Sequence, residues 1–118
     1  MIVRLYTGPD GESHFEEIAP EDAPLGPSDR APWEKAESIS FSRQPPGRFM
    51  DWHPAPRRQY VISLAGAVEI GIGDGTVRRF GPGDVLLAED LTGRGHTTRV
   101  VSSETRVSAT VPLVDGAG

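Results

Sequence analysis

Two histidines, a glutamine and an arginine are the side chains whose types and spacing suit them to chemistry. His53 lies in the stretch Gly47 to Gly66, GRFMDWHPAPRRQYVISLAG, with five residues between it and Gly47. Gln59 follows six positions later, and six further residues lead to Gly66. His96 lies downstream in LTGRGHTTR. Imidazole titrates close to physiological pH, so two histidines in one pocket can move a substrate proton, or they can ligate a divalent metal. Gln59 offers a neutral amide to orient a ligand, and Arg57, two residues before it, could face inward and bind an anionic group bidentately. Asp51 precedes His53 by two residues, so strict strand alternation places both on one face, where the carboxylate could hold a metal or a substrate. Asp90, just before the His96 loop, reads as a general acid or as a solvated loop residue, and Glu89 reads as solvated. Arg58 and Arg99 alternate away from the pocket residues. Trp52, with Phe49 and Tyr60, reads as lining an apolar ligand pocket or as an ordinary core or interface aromatic. Structural histidines satisfied by Gln59, Asp51 or backbone groups would leave the same pattern.

Composition bounds what such a site can serve. A chain of 118 residues is one domain with a modest core, so one site is the most to expect. Acidic residues outnumber basic ones 17 to 12, giving a formal charge of -5, which argues against a general nucleic-acid partner because phosphate neutralisation needs a basic surface. The Arg57-Arg58 and Arg78-Arg79 pairs are too local to reverse this. The absence of cysteine excludes disulfides and thiolate metal sites. The N-terminus, MIVRLYTGPDGESHF, has no basic region followed by an apolar run, and no apolar stretch approaches the roughly 20 residues of a membrane span. A cytoplasmic protein with no membrane or nucleic-acid partner is expected.

Short strands must position these residues, because 14 Gly and 11 Pro punctuate the chain too densely for long helices. Ile2 to Tyr6 and Ser13 to Ile18 read as strands around the turn TGPDG. Ala19 to Trp33 holds four prolines and reads as an extended surface crossing anchored by Trp33. Residues 1–35 thus form N-terminal strands and a Pro-rich arm packed on the barrel or on a partner, residues 36–113 the barrel, and residues 114–118 a frayed tail. Ala36 to Arg43 alternates with Ile39 and Phe41 on one face, as a half-buried strand does. QYVISLAG, AVEIGIGDG and TVRRFGPGD follow as antiparallel neighbours around Gly73-Asp74-Gly75. Val85 to Ala88 is a buried strand, and His96 to Val101 and Thr105 to Val111 are the last two. No segment shows helical periodicity. An all-β sandwich or barrel follows.

The first segment resembles the first cupin motif: glycine, five residues, histidine, one residue, histidine, three or four residues, glutamate, six residues, glycine. The matching positions are Gly47, His53, Ala55, Gln59 and Gly66. The second cupin motif is resembled by Gly83-Asp84 and by Gly93, two residues, His96, although its proline is missing, its interval is two residues longer and Val100 stands at its closing asparagine. The resemblance covers roughly Phe41 to Leu113 and implies a double-stranded antiparallel β-barrel, or jelly roll, with little or no helix. The family usually holds a divalent metal on three histidines and a glutamate. His53 and His96 are retained, Ala55 and Gln59 replace the other two, and a metal on His53, Gln59 and His96, with Asp51 or water, would be weakly held. Three functions are compatible with the resemblance. The first is a metal-free isomerase, epimerase or cyclase using His53 and His96 as acid and base, with Gln59, Arg57, Asp51, Trp52 and Asp90 around the substrate. The second is a dioxygenase or lyase with iron, nickel, manganese or zinc. The third is a non-catalytic module that binds a small ligand. Small cupins often pair or exchange N-terminal strands, which implies a homodimer.

Overall fold

Runs of β-branched and aromatic residues broken by Gly and Pro turns give ten strands among the described residues of a computed structural model, which are 1–18 and 35–114. They are β1 (Ile2–Thr7), β2 (Ser13–Ile18), β3 (Ser40–Gln44), β4 (Phe49–His53), β5 (Gln59–Ala65), β6 (Val68–Gly71), β7 (Val77–Phe80), β8 (Val85–Glu89), β9 (His96–Val100) and β10 (Arg106–Pro112). No helix forms among these residues, and so none is long and apolar enough to cross a membrane. The Pro-rich crossing from Ala19 to Trp33 and the tail beyond Val114 lie outside the described residues.

The strands build two sheets that close on each other, ordered β2-β1-β8-β5-β10-β3 and β4-β9-β6-β7. Every pairing is antiparallel except β1 with β8. Between them lies an apolar core in which Val3 and Leu5 of β1 meet Val68, Ile70, Phe80, Leu86 and Val100. Burying side chains of this size stabilises the fold by roughly 1.5–3 kcal/mol each. The all-β fold expected from the strand pattern is therefore present, in the double-stranded β-barrel form that the motif resemblance implies.

Three neighbouring strands invert the usual polarity. In β10, Arg106, Ser108 and Thr110 point into the barrel, as do Gln59 and Ser63 of β5 and Ser42 and Gln44 of β3. Strand alternation then turns Val107, Ala109, Val111, Tyr60, Ile62, Leu64 and Phe41 to the outer face. This overturns the half-burial expected for Ile39 and Phe41, which are 58% and 68% exposed. Strand β3 is the edge of its sheet and, among the described residues, pairs only with β10.

On the same outer face Glu89, expected to be solvated, ends β8 and accepts a hydrogen bond from Arg4 Nε at 2.6 Å and another from Arg58 Nε. Burial alone would raise its carboxyl pKa, but the hydrogen bonds and charges of the two arginines outweigh burial and hold it below the ordinary value. A depressed folded-state pKa contributes stability that is present above the unfolded-state value, about 4.3, and is lost as pH falls through the folded value. Glu89→Gln should therefore lower stability at neutral pH by about 1–3 kcal/mol and flatten its decline in acid. Urea unfolding of both proteins from neutral pH down to about pH 3 checks this, and an acid limb identical to that of the parent would contradict it.

Candidate functional site

The site is set by an irregularity in β4. Phe49 pairs with Arg99 and Met50 with Thr98, yet the next pair is His53 with His96, so two residues of β4 stand opposite one of β9. Such a bulge resets the alternation. Met50 and His53 both line the cavity, while Asp51 and Trp52 are exposed. Asp51 therefore does not share the face of His53, as strict alternation would require. Its Oδ1 instead accepts the backbone N–H of Trp52 at 2.9 Å, and the Trp52 ring lies under the Arg94 guanidinium, 4.5 Å away, outside the cavity.

The bulge brings the two imidazoles together, with centroids 4.6 Å apart and planes tilted by 55°. Each ring is held through Nδ1. His53 Nδ1 lies 2.6 Å from the carbonyl oxygen of Asp51. A carbonyl can only accept, so Nδ1 carries the proton. His96 Nδ1 lies 2.6 Å from Asp90 Oδ2, which also accepts the Ser13 hydroxyl at 2.7 Å. Asp90 is fully buried and its Oδ1 meets no donor among the described residues. It sits behind His96 and does not line the cavity, so it contacts neither solvent nor ligand. Its role is to hold a ring. With both Nδ1 atoms engaged as donors, each neutral ring of this cavity-lining pair keeps Nε2 as its acceptor.

That cavity measures about 410 Å³. Gln59 lines it beside the histidines, as does Ala55, whose N–H bonds the carbonyl of Asp90 at 3.0 Å. Arg57 does not. Strand β5 begins only at Gln59, and residues 56–58 bend, so alternation cannot be extended back to Arg57. It is exposed and pairs with Glu37 at 3.1 Å. Arg58 faces Glu89 on the outer surface and Arg99 covers the Phe49 ring.

Solved structures superpose on this arrangement of strands. A protein with a double-stranded β-helix domain from Klebsiella pneumoniae superposes with a TM-score of 0.53 at 21% identity, over 87% of this chain and 94% of that one. A cupin 2 conserved barrel domain protein from Salinispora arenicola superposes with a TM-score of 0.54 at 22% identity, over 71% of each chain. This chain has the cupin fold. The polyketide cyclase RemF from Streptomyces resistomycificus has it too, with a TM-score of 0.55 at 15% identity over 94% of this chain and 73% of that one. No protein-family model matches the sequence, and no curated protein sequence matches it either.

At the positions that the motif resemblance assigns to metal ligands, the donor set is reduced. His53 and His96 meet, Gln59 lines the same cavity, and Ala55 contributes a methyl group, 5% exposed, where the motif has an imidazole. Asp51, the carboxylate that could have compensated, is turned away by the bulge. No cluster of three His, Cys, Asp or Glu suited to a metal occurs among the described residues. Two imidazoles and a neutral amide give a divalent ion no anionic ligand, and these residues do not fit one.

Arg106 is the pocket residue that sequence reading missed. It is 5% exposed, lines the cavity and donates from Nη1 to Ser63 Oγ at 3.0 Å. Burial holds its guanidinium pKa below the ordinary arginine value, yet arginine remains a cation in proteins. In sequence it opens RVSATVP as one charge at a strand start. The available signal was the shared face of Arg106, Ser108 and Thr110.

Proposed function

We propose that this protein is a small-molecule enzyme of the isomerase, epimerase or cyclase type, with His53 and His96 as its proton-transfer pair. The observation that supports this reading is the fixed tautomer of both rings, each bound through Nδ1 and each left with Nε2 for the cavity. In the neutral state either Nε2 can accept a proton from an acidified C–H or O–H of a bound substrate. Two imidazolium charges with ring centres 4.6 Å apart would repel, so one ring accepts while the other is neutral. The proton then returns to a different atom of the substrate or, in an epimerisation, to the opposite face of the same carbon. The Asp90 carboxylate steadies the cation on His96 whenever that ring takes the proton. Gln59 lines the cavity, where its amide is suited to orienting a carbonyl or hydroxyl. RemF is described as a polyketide cyclase; at its level of identity that likeness carries the fold, and the reaction type here rests on the histidines.

Wild-type protein should catalyse exchange of carbon-bound hydrogen for solvent deuterium in a panel of keto acids, sugars and aromatic polyketide-like compounds, followed by NMR. His53→Gln and His96→Gln should each slow this exchange by about 10²- to 10⁴-fold. Unchanged exchange in the double variant would refute the pair's role. Elemental analysis of the active protein is the companion measurement. Turnover that requires stoichiometric iron, nickel, manganese or zinc would move the reading to a dioxygenase or lyase. Binding without exchange would move it to a ligand-binding module.

A further inference from the structure

The cavity has two chemically different walls. Ile70 and Val68 of β6, Phe80 of β7, and Leu86 and Ala88 of β8 make one of them apolar. Strands β3, β10 and β5 supply the other, with serine, threonine and glutamine side chains around Arg106. Among the described residues no aspartate or glutamate lines the cavity, and Arg106 is the one permanently charged residue that does. No carboxylate among the described residues pairs with it, and its side chain donates a hydrogen bond to Ser63 Oγ. A guanidinium has five N–H donors in a planar fork, and burying such a cation without an anion is unfavourable. Its backbone is also held in place. A Cβ on Gly66 would lie 2.8 Å from Arg106 Cα, so the turn after β5 is packed directly against the start of β10.

We propose that Arg106 is the anion-binding residue of this cavity and that the ligand is a small organic monocarboxylate with an apolar body. The proposal rests on the reading that this cavity is the reaction site and adds the substrate class. A carboxylate matches the fork bidentately and carries the one negative charge that a lone guanidinium neutralises. A phosphate would leave charge uncompensated. Position supports a ligand that spans the cavity. Gln59 lies at the histidine end of β5, and Ser63, the partner of Arg106, lies four residues along the strand, about 13 Å at 3.3 Å per residue. The carboxylate would bind Arg106, the apolar body would lie on Phe80, Leu86 and Ile70, and the reacting carbon would approach the imidazoles.

Calorimetric titration with hydrocinnamate, its amide and phenyl phosphate tests this. Wild-type protein should bind hydrocinnamate at millimolar concentration or below, and bind the isosteric amide about 10- to 100-fold more weakly, with phenyl phosphate no tighter than the carboxylate. Arg106→Gln should abolish the preference for acid over amide, and Arg106→Lys, which keeps the charge without the fork, should retain part of it. Equal binding of acid and amide by the wild type overturns the proposal without recourse to any variant. So do tighter binding of phenyl phosphate, a preference that survives in Arg106→Gln, and failure of hydrocinnamate to bind at all. The His53→Gln/His96→Gln double variant should keep the acid-over-amide preference. Failure of the proton-transfer reading would therefore leave this result standing, and loss of the preference would leave the histidine result standing.

Discussion

Asp90→Asn is expected to lower turnover by about 10³- to 10⁴-fold while leaving the folded protein as stable as its parent or more so. Both halves follow from the same burial. The carboxylate is fully buried, its Oδ2 takes hydrogen bonds from His96 Nδ1 and Ser13 Oγ, and its Oδ1 has no donor among the described residues. A half-satisfied buried anion is costly, so removing its charge at constant volume costs the fold little. His96 loses much more. An asparagine that turns its NH₂ toward the ring can donate but not accept, which forces Nδ1 to become the acceptor and moves the ring proton to Nε2. The nitrogen facing the cavity would then be a donor where the mechanism needs an acceptor. An asparagine that turns its oxygen instead preserves the tautomer but removes the charge that steadies an imidazolium. Nitrogen-detected NMR of the imidazoles separates these outcomes without any substrate, and thermal unfolding gives the stability. Asp90 is a positioning residue, so the loss should fall on kcat with KM little changed. If kcat and the His96 tautomer both stayed as in the parent, Asp90 would be no more than a buried acid.

The residues of the site were legible in sequence where strand spacing was regular and illegible where it was not. Gly47, His53, Gln59 and Gly66 fit one motif, and the structure does bring His53, Gln59 and His96 to one cavity. Asp51 was misplaced because a bulge costs one residue and leaves no mark in the sequence, and a single extra residue turns every following side chain to the other face. Arg57 was misplaced because alternation was carried back past the start of β5 into the bend at 56–58. Arg106 was missed for a different reason. Hydrophobic patterning assigns the apolar face of a strand to the core, but Val107, Ala109 and Val111 face outward and the polar face lines the cavity. A barrel that keeps a cavity reverses the rule along the wall that touches its ligand. The strands themselves were the easier part, because turns such as Gly73-Asp74-Gly75 and Gly81-Pro82-Gly83-Asp84 mark their ends whatever their faces contain.

Gly95→Ala should be among the most damaging small substitutions at the described residues, unfolding the protein more easily by about 3 kcal/mol or more. Gly95 has a φ of 79°, a left-handed conformation that costs a residue bearing a Cβ about 1–2 kcal/mol. Its surroundings add a second penalty. A Cβ built there collides with the carbonyl carbon and oxygen of His53 and with the nitrogen of Pro54, all backbone atoms that no side-chain rotation can move. Gly75 separates the two costs, since its φ is 91° and nothing lies within 4 Å of its would-be Cβ. Urea unfolding of Gly75→Ala should show the conformational cost alone, and Gly95→Ala should exceed it by about 2 kcal/mol. The excess also has a functional address. Relief of the collision must push the His53 backbone away from the loop that carries Gly95, and that backbone holds the ring now 4.6 Å from His96. Under conditions where Gly95→Ala is still folded, its imidazole resonances should shift and its exchange activity should fall, while Gly75→Ala keeps both. Equal destabilisation by the two substitutions would show that the His53 backbone yields freely, in which case the close approach of this loop does not fix the histidine pair.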